Sequence, residues 1–220
     1  MVSARRIEED ELPLPAEEFT DRFIAAVDDF IEGSGRYDAQ FDRPATREEM
    51  RTGLYTRIYN ELMAVKHPLE MLEDVEDPDV YVQLLKQMED EAKHARLLAQ
   101  RLRDLGGNPA LANERVKEQA LEMWETLEGL DVVERTVLFQ CGGERGVATR
   151  HVNESEFYDD ETQRVYEDVI IPDEKFHTQI GVNIVRRYCR DRDAQLRALR
   201  TSREGRRLFG RASGGVYEPG

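Results

Sequence analysis

The stretch QMEDEAKHARLL sets Asp90, Glu91 and His94 in a D-E-x-x-H frame, and IIPDEKFHTQIG repeats it with Asp173, Glu174 and His177. One constant shift of 83 residues relates the two frames, and the same shift carries Glu61, thirty residues before Glu91, onto Glu144. No other feature restricts the fold so strongly. Residues three apart share one face of an α-helix, so each E-x-x-H presents a carboxylate beside an imidazole. Thirty residues fit two helical legs of about 20 Å joined by a turn, which returns Glu61 to the level of Glu91. A lone E-x-x-H reads as a surface ion pair. Acids are 46 of 220 residues, and six specified positions around two histidines are all acidic. Coincidence is therefore a weak competitor to a doubled ligand set.

The rest of the chain supplies helices to carry it. Phe19, Phe23, Val27, Phe30 and Ile31 recur at helical spacing in an N-terminal helix over about 15–33, stopped by Gly33. Thr46, with Glu49 three residues on, caps a long helix that carries Leu54, Ile58, Glu61, Val65 and Leu69 on one face and runs to about Glu76, with Pro68 as a kink. Pro78 opens a second long helix that ends at LGGNP. A connecting segment over 110–128 holds a short helix of its own (Val116, Ala120, Trp124, Leu127). A third long helix covers about 130–153 and a fourth about 160–199, interrupted at Pro172. No segment alternates as a strand would. The expected fold is all-α: a four-helix bundle of the ferritin-like kind with a long B–C crossover, an extra N-terminal helix and a C-terminal extension. It reads as one domain over 1–220, with the core bundle at about 46–200 and an irregular tail over about 205–220.

Composition narrows the partners. A net charge of −15 opposes general nucleic-acid binding. Ten arginines between Arg186 and Arg211 face only Asp191, Asp193 and Glu204. That basic segment is expected to pair with the protein's own acidic surface, and a patch for an anionic substrate is the sharper alternative. Cys141 and Cys189 form no C-x-x-C pair, which excludes a rubredoxin-type module and fits a reduced, cytoplasmic protein. No apolar run is long enough for a membrane span, and MVSARRIEEDELPLP has no apolar h-region.

The chemistry of the doubled frame is that of a dinuclear carboxylate site. Four glutamates offset two divalent cations, and two neutral imidazoles add ligand strength. Mixed carboxylate and imidazole ligation suits iron or manganese better than structural zinc. Asp90 and Asp173 are placed to accept the outer N–H of a ligand histidine, with solvent-facing helix acids as the bland alternative.

Through Glu61, Glu91-x-x-His94, Glu144 and Glu174-x-x-His177 the sequence resembles the ferritin-like diiron-carboxylate superfamily over roughly residues 46–190. The resemblance implies that these six residues hold two Fe ions, or a Mn/Fe pair, with dioxygen as co-substrate. Departures sort the branches. Rubrerythrins carry an extra glutamate where this chain has Val147, and the ribonucleotide reductase subunit a tyrosine where it has Leu98. Classical ferritins lack the second histidine, and bacterioferritins have a tighter crossover than His94 to Glu144 allows. The spacing looks most like the enzyme branch, which implies an oxygenase or oxidase acting on a small or medium organic substrate. Its partners would be that small molecule and an external electron donor, with no membrane, and a homodimer is compatible. Ferroxidase, iron-handling or peroxide-scavenging activity is the alternative, and a metal-free interaction module a third reading.

Residues one turn from the ligands should line a substrate pocket: Gln140, Cys141, Gly143, Val147 and Ala148 on the third helix, Thr178 and Gly181 on the fourth. The 83-residue shift also pairs Arg57 with Gln140, both candidates for orienting a substrate or a ligand carboxylate. Gly142, Gly143 and Gly146 weaken a helix, which fits close packing, room for substrate or dioxygen, or a locally unwound turn that lets Glu144 shift. Pro172 distorts the helix just before Glu174. His67 and His151 lie off the frame and are expected at the surface or behind the ligands.

Overall fold

The computed structural model describes residues 7–35, 37–116 and 118–212. Among the described residues every regular element is a helix and there is no strand. In chain order the α-helices are α1 (Ala16–Gly33), α2 (Arg47–Met71), α3 (Pro78–Asp104), α4 (Glu118–Glu125), α5 (Val132–Thr136), α6 (Arg145–Glu154), α7 (Asp160–Val165), α8 (Ile171–Tyr188) and α9 (Arg192–Ala212). Two π-helical segments, Val137–Glu144 and Tyr166–Ile170, join α5 to α6 and α7 to α8. No described helix is long and apolar enough to cross a membrane.

The chain divides into two compact units. The first comprises Asp38–Gly129 and Ala148–Phe176. Local chemistry sets its helix ends. The Thr46 hydroxyl accepts from the Glu49 N–H while the Glu49 carboxylate accepts from the Thr46 N–H, a reciprocal cap at the start of α2. The Asp77 carboxylate accepts from the N–H groups of Asp79 and Val80, and Pro78 follows where its missing donor costs nothing. At the end of α3, Gly106 adopts φ +79° and the Gly107 N–H donates to the Leu102 carbonyl at 2.8 Å, a turn that satisfies a terminal carbonyl.

α2 and α3 pack as an antiparallel hairpin over an apolar cluster that includes Leu54, Ile58, Leu98, Leu102 and Ile170. Arg101 of α3, buried, donates to the Thr162 hydroxyl at 2.8 Å and pairs with Glu161 and Asp159, which ties α7 to the opposite flank of α3. The expected face of α2 holds as far as Glu61. Beyond it the buried positions are Ala64, His67, Pro68 and Met71, while Val65 is half-buried and Leu69 exposed. The helix also ends at Met71 rather than Glu76, because the Leu72 N–H still closes on the Pro68 carbonyl and Asp74 already lies in a turn.

The second unit comprises residues 1–37, Leu130–Val147 and His177–Gly220. Here the expected fourth helix is corrected. It stops at Tyr188, and a separate α9 begins after Asp191, whose carboxylate caps the Ala194 N–H at 2.8 Å. The tail expected to be irregular from 205 continues as helix to Ala212, and residues 213–220 lie outside the described part. Nor is the N-terminal arm shapeless. Gln195, fully buried, accepts from the Leu14 N–H and donates to the Leu14 carbonyl, and Arg192 donates to the Leu12 carbonyl at 2.6 Å. The basic segment pairs with the protein's own acids as anticipated: Arg200 and Arg203 with Glu9, Arg197 with Asp131.

Candidate metal centre

Four of the six expected ligands converge inside the first unit. Glu61 from the middle of α2, Glu91 and His94 from α3, and Glu174 from the first turn of α8 bring one ligand atom each to within 4.8 Å of one another. All four are buried, none more than 2% exposed. Three carboxylates and an imidazole at that density, shut away from water, strongly disfavour an uncompensated charge. They form a donor set that can hold a metal ion.

The surroundings orient these groups. His94 turns Nδ1 toward Glu61 and Glu91, 3.4 and 3.5 Å from their carboxylates, and its Nε2 lies 3.0 Å from Asp173 Oδ2. One ring nitrogen therefore faces the cluster while the other is fixed by a carboxylate. Lys93 holds Asp173 in turn at 2.5 Å. Asp173 thus takes the supporting position expected of it, on the histidine of the other helix. Asp90 is not a solvent-facing acid: it is 1% exposed and its Oδ1 takes both Lys86 and Lys93. Arg57 reaches Glu61 at 3.0 Å and Glu174 at 3.3 Å, so its ordering effect falls on those two carboxylates. Gln87 donates to Glu91 at 3.4 Å.

The electrostatics follow from this crowding. Burial raises the Glu61 carboxyl above its usual range, against the opposing pull of Arg57. Burial also opposes charge on His94, but its contacts with Glu61 and Glu91 win and hold the imidazole up at about 10. Without a metal, positive charge in the cluster is supplied by Arg57 and a protonated His94.

Glu144 and His177, the remaining expected ligands, belong to the second unit and are buried there at 5% and 0% exposure. Glu144 is the last residue of the π-helical segment that contains Gly142 and Gly143, so the glycine-rich run marks an unwound stretch of helix. Within the same unit Gly181 packs on Gln140 and Cys141. A Cβ on Gly181 would stand 2.8 Å from the Gln140 Cβ and 3.1 Å from the Cys141 Sγ. The three residues are closely packed at this point. Cys141 is fully buried, and burial pushes its thiol up to about 12, as expected of a small core residue. Gly143, Val147 and Thr178 are half-buried and Ala148 is buried. The second π-helical segment ends two residues before Pro172, whose absent N–H accounts for the slipped hydrogen bonding there.

Of the two placements expected for the off-frame histidines, the surface is excluded. His67 and His151 are not at the surface: both are buried, at 3% and 4% exposure. The first unit has apolar shelter for each. His67 packs edge-on to Trp124, and His151 lies 4.7 Å from the Tyr166 ring. Burial, then Arg57 and Arg150, keeps His151 well below its ordinary value and hence neutral. The Tyr158 ring lies tilted against Tyr166 at 5.3 Å, and its hydroxyl donates to buried Glu154 at 3.0 Å. Sequence spacing gave no sign of this aromatic group, because its members follow neither the D-E-x-x-H frame nor the 83-residue shift.

Fold and site together define an all-helical protein with a buried cluster of three carboxylates and a histidine able to bind metal. Compared with known proteins, the chain matches no family model, no curated protein and no solved structure.

Proposed function

We propose that this chain is a non-haem dimetal oxidoreductase built on a ferritin-like four-helix bundle, an oxygenase or oxidase of a small or medium organic substrate. The observation that carries the reading is the convergence of Glu61, Glu91, His94 and Glu174 with His94 steadied by Asp173. The 83-residue shift supports extending that set to Glu144 and His177, giving four carboxylates and two imidazoles for two divalent ions. Two bound iron ions, or a manganese–iron pair, would supply the electrons with which dioxygen is reduced as substrate is oxidised. The chain's own contribution is positional. Asp173 fixes the His94 ring, with Nδ1 turned toward the carboxylates of Glu61 and Glu91. Arg57 and Gln87 steer the carboxylates, and burial excludes water. The π-helical run ending at Glu144 supports a ligand whose position adjusts during turnover.

The test is to load the protein with ferrous iron without oxygen, admit oxygen, and follow the optical spectrum with and without candidate substrates. The reading predicts two irons per chain and an oxygen-dependent spectral change that a true substrate accelerates. Accumulation of many ferric ions per chain would instead mark an iron-storage role. Absence of bound iron would overturn both.

A further inference from the structure

The second unit holds a recess that the metal reading does not use. Between α1, the π-helical segment Val137–Glu144 and α9 it leaves about 340 Å³ of empty space, partly open to solvent. That volume is in the range of sites for small molecules. Phe30 and Ile31 of α1, together with Tyr37, Val137 and Leu138, make the walls apolar.

Three glycines shape the recess. Gly142 and Gly205 line it from inside helical segments, where glycine costs about 1 kcal/mol relative to alanine. Gly146 acts one step back. A Cβ there would stand 2.2 Å from the Tyr37 ring, so its absence lets Tyr37 close the wall. Glycine adds nothing to helix stability at these positions; what the three share is the space they leave.

Charge sits at one edge of this space. Ser202 and Arg206 are four residues apart on one face of α9, and both line the recess. Arg206 is set in place, its guanidinium 5.1 Å above the Phe30 ring centre and one N–H donating to the Ala26 carbonyl at 3.0 Å. A guanidinium fork with a hydroxyl beside it suits a carboxylate, which accepts parallel hydrogen bonds from such a fork. One guanidinium offsets one negative charge, and a dianion such as phosphate would bring surplus charge to a chain of net charge −15. The recess also faces away from the expected ligand on the same segment. Gly142 precedes Glu144 by two residues, about half a helical turn, which turns Glu144 to the other side.

We propose that this recess binds a small organic monocarboxylate, its apolar body against Phe30, Ile31, Val137 and Leu138 and its carboxylate on Arg206 and Ser202. The proposal is independent of the metal reading, so the metal-free full chain serves for the test. Calorimetric titration with octanoate should show one saturable site per chain. Acetate, which has the charge without the apolar body, should not bind in the same concentration range. The neutral 1-octanol should bind at least about 10-fold more weakly, the loss expected when a charged hydrogen-bond partner is removed. Arg206→Gln should weaken octanoate about 10-fold and leave octanol unchanged. Ser202→Trp, at a half-buried position, should fill the recess and remove binding of both, with circular dichroism unchanged. Arg203→Gln, which alters an arginine of α9 held by Glu9, should leave octanoate affinity as it is. Octanoate that saturates no site, binds no better than octanol or acetate, ignores Arg206→Gln, ignores Ser202→Trp, or weakens equally with Arg203→Gln would overturn the proposal.

Discussion

Asp173 is a small contact with a large expected consequence. It touches His94 rather than a metal, so Asp173→Asn leaves the donor count intact while loosening the ring that it holds. Equilibrium titration with ferrous or manganous ion should show affinity reduced about 10- to 100-fold, against near-complete loss for His94→Ala. A second residue-level prediction concerns the cap of α2. Arg43, then the Thr46 N–H and hydroxyl, hold the Glu49 carboxyl down at about 2 from its ordinary 4.5. A depressed carboxyl adds stability above its unfolded value and loses it as pH falls through the folded one. The urea midpoint of the wild type should therefore exceed that of Glu49→Gln at pH 7, and the gap should close between about pH 4.5 and 2. At this scale the sequence was legible where a residue type and a spacing coincided. Glu61, Glu91, His94 and Glu174 were recoverable because helical geometry turns i, i+3 and a thirty-residue return into proximity. Arg57 surfaced through the same shift. Tyr158 and Tyr166 did not, since nothing in their spacing marks them as partners of His151 and Glu154.

Elements were legible where caps announced them. Thr46 with Glu49, Asp77 with Pro78, and the paired glycines after α3 each gave a boundary close to the observed one. The break between α8 and α9 was missed because Cys189, Arg190 and Asp191 include neither glycine nor proline; its one signal is Asp191 as a cap. The glycines of Val137–Glu144 foretold a weakened helix, and the π-helical hydrogen bonding is the form that weakness takes. Two glycine substitutions separate propensity from packing. Gly53, inside α2, has nothing within 4 Å of an added Cβ. Gly53→Ala should stabilise by about 0.5–1 kcal/mol, read as a raised thermal midpoint. Gly181→Ala must push against Gln140 and the Cys141 sulfur and backbone. It should cost about 1–3 kcal/mol in chemical denaturation.

At the scale of the whole molecule, the proposed metal binding and stability are one equilibrium through the buried carboxylates. Three acids held within a few ångströms oppose folding unless a cation joins Arg57 and His94 among them. A ligand that binds only the folded chain raises its stability with concentration. The thermal midpoint should therefore climb as manganese or ferrous ion is added, and a chelator should reverse the gain. The central claim is that the doubled frame is one dinuclear centre, and the number of ions bound per chain tests it most directly. Elemental analysis after anaerobic loading should give two ions for the wild type, and one or fewer for Glu144→Ala and for His177→Ala, with circular dichroism of the wild type retained. A single ion in the wild type, or two ions still bound by both variants, would contradict it.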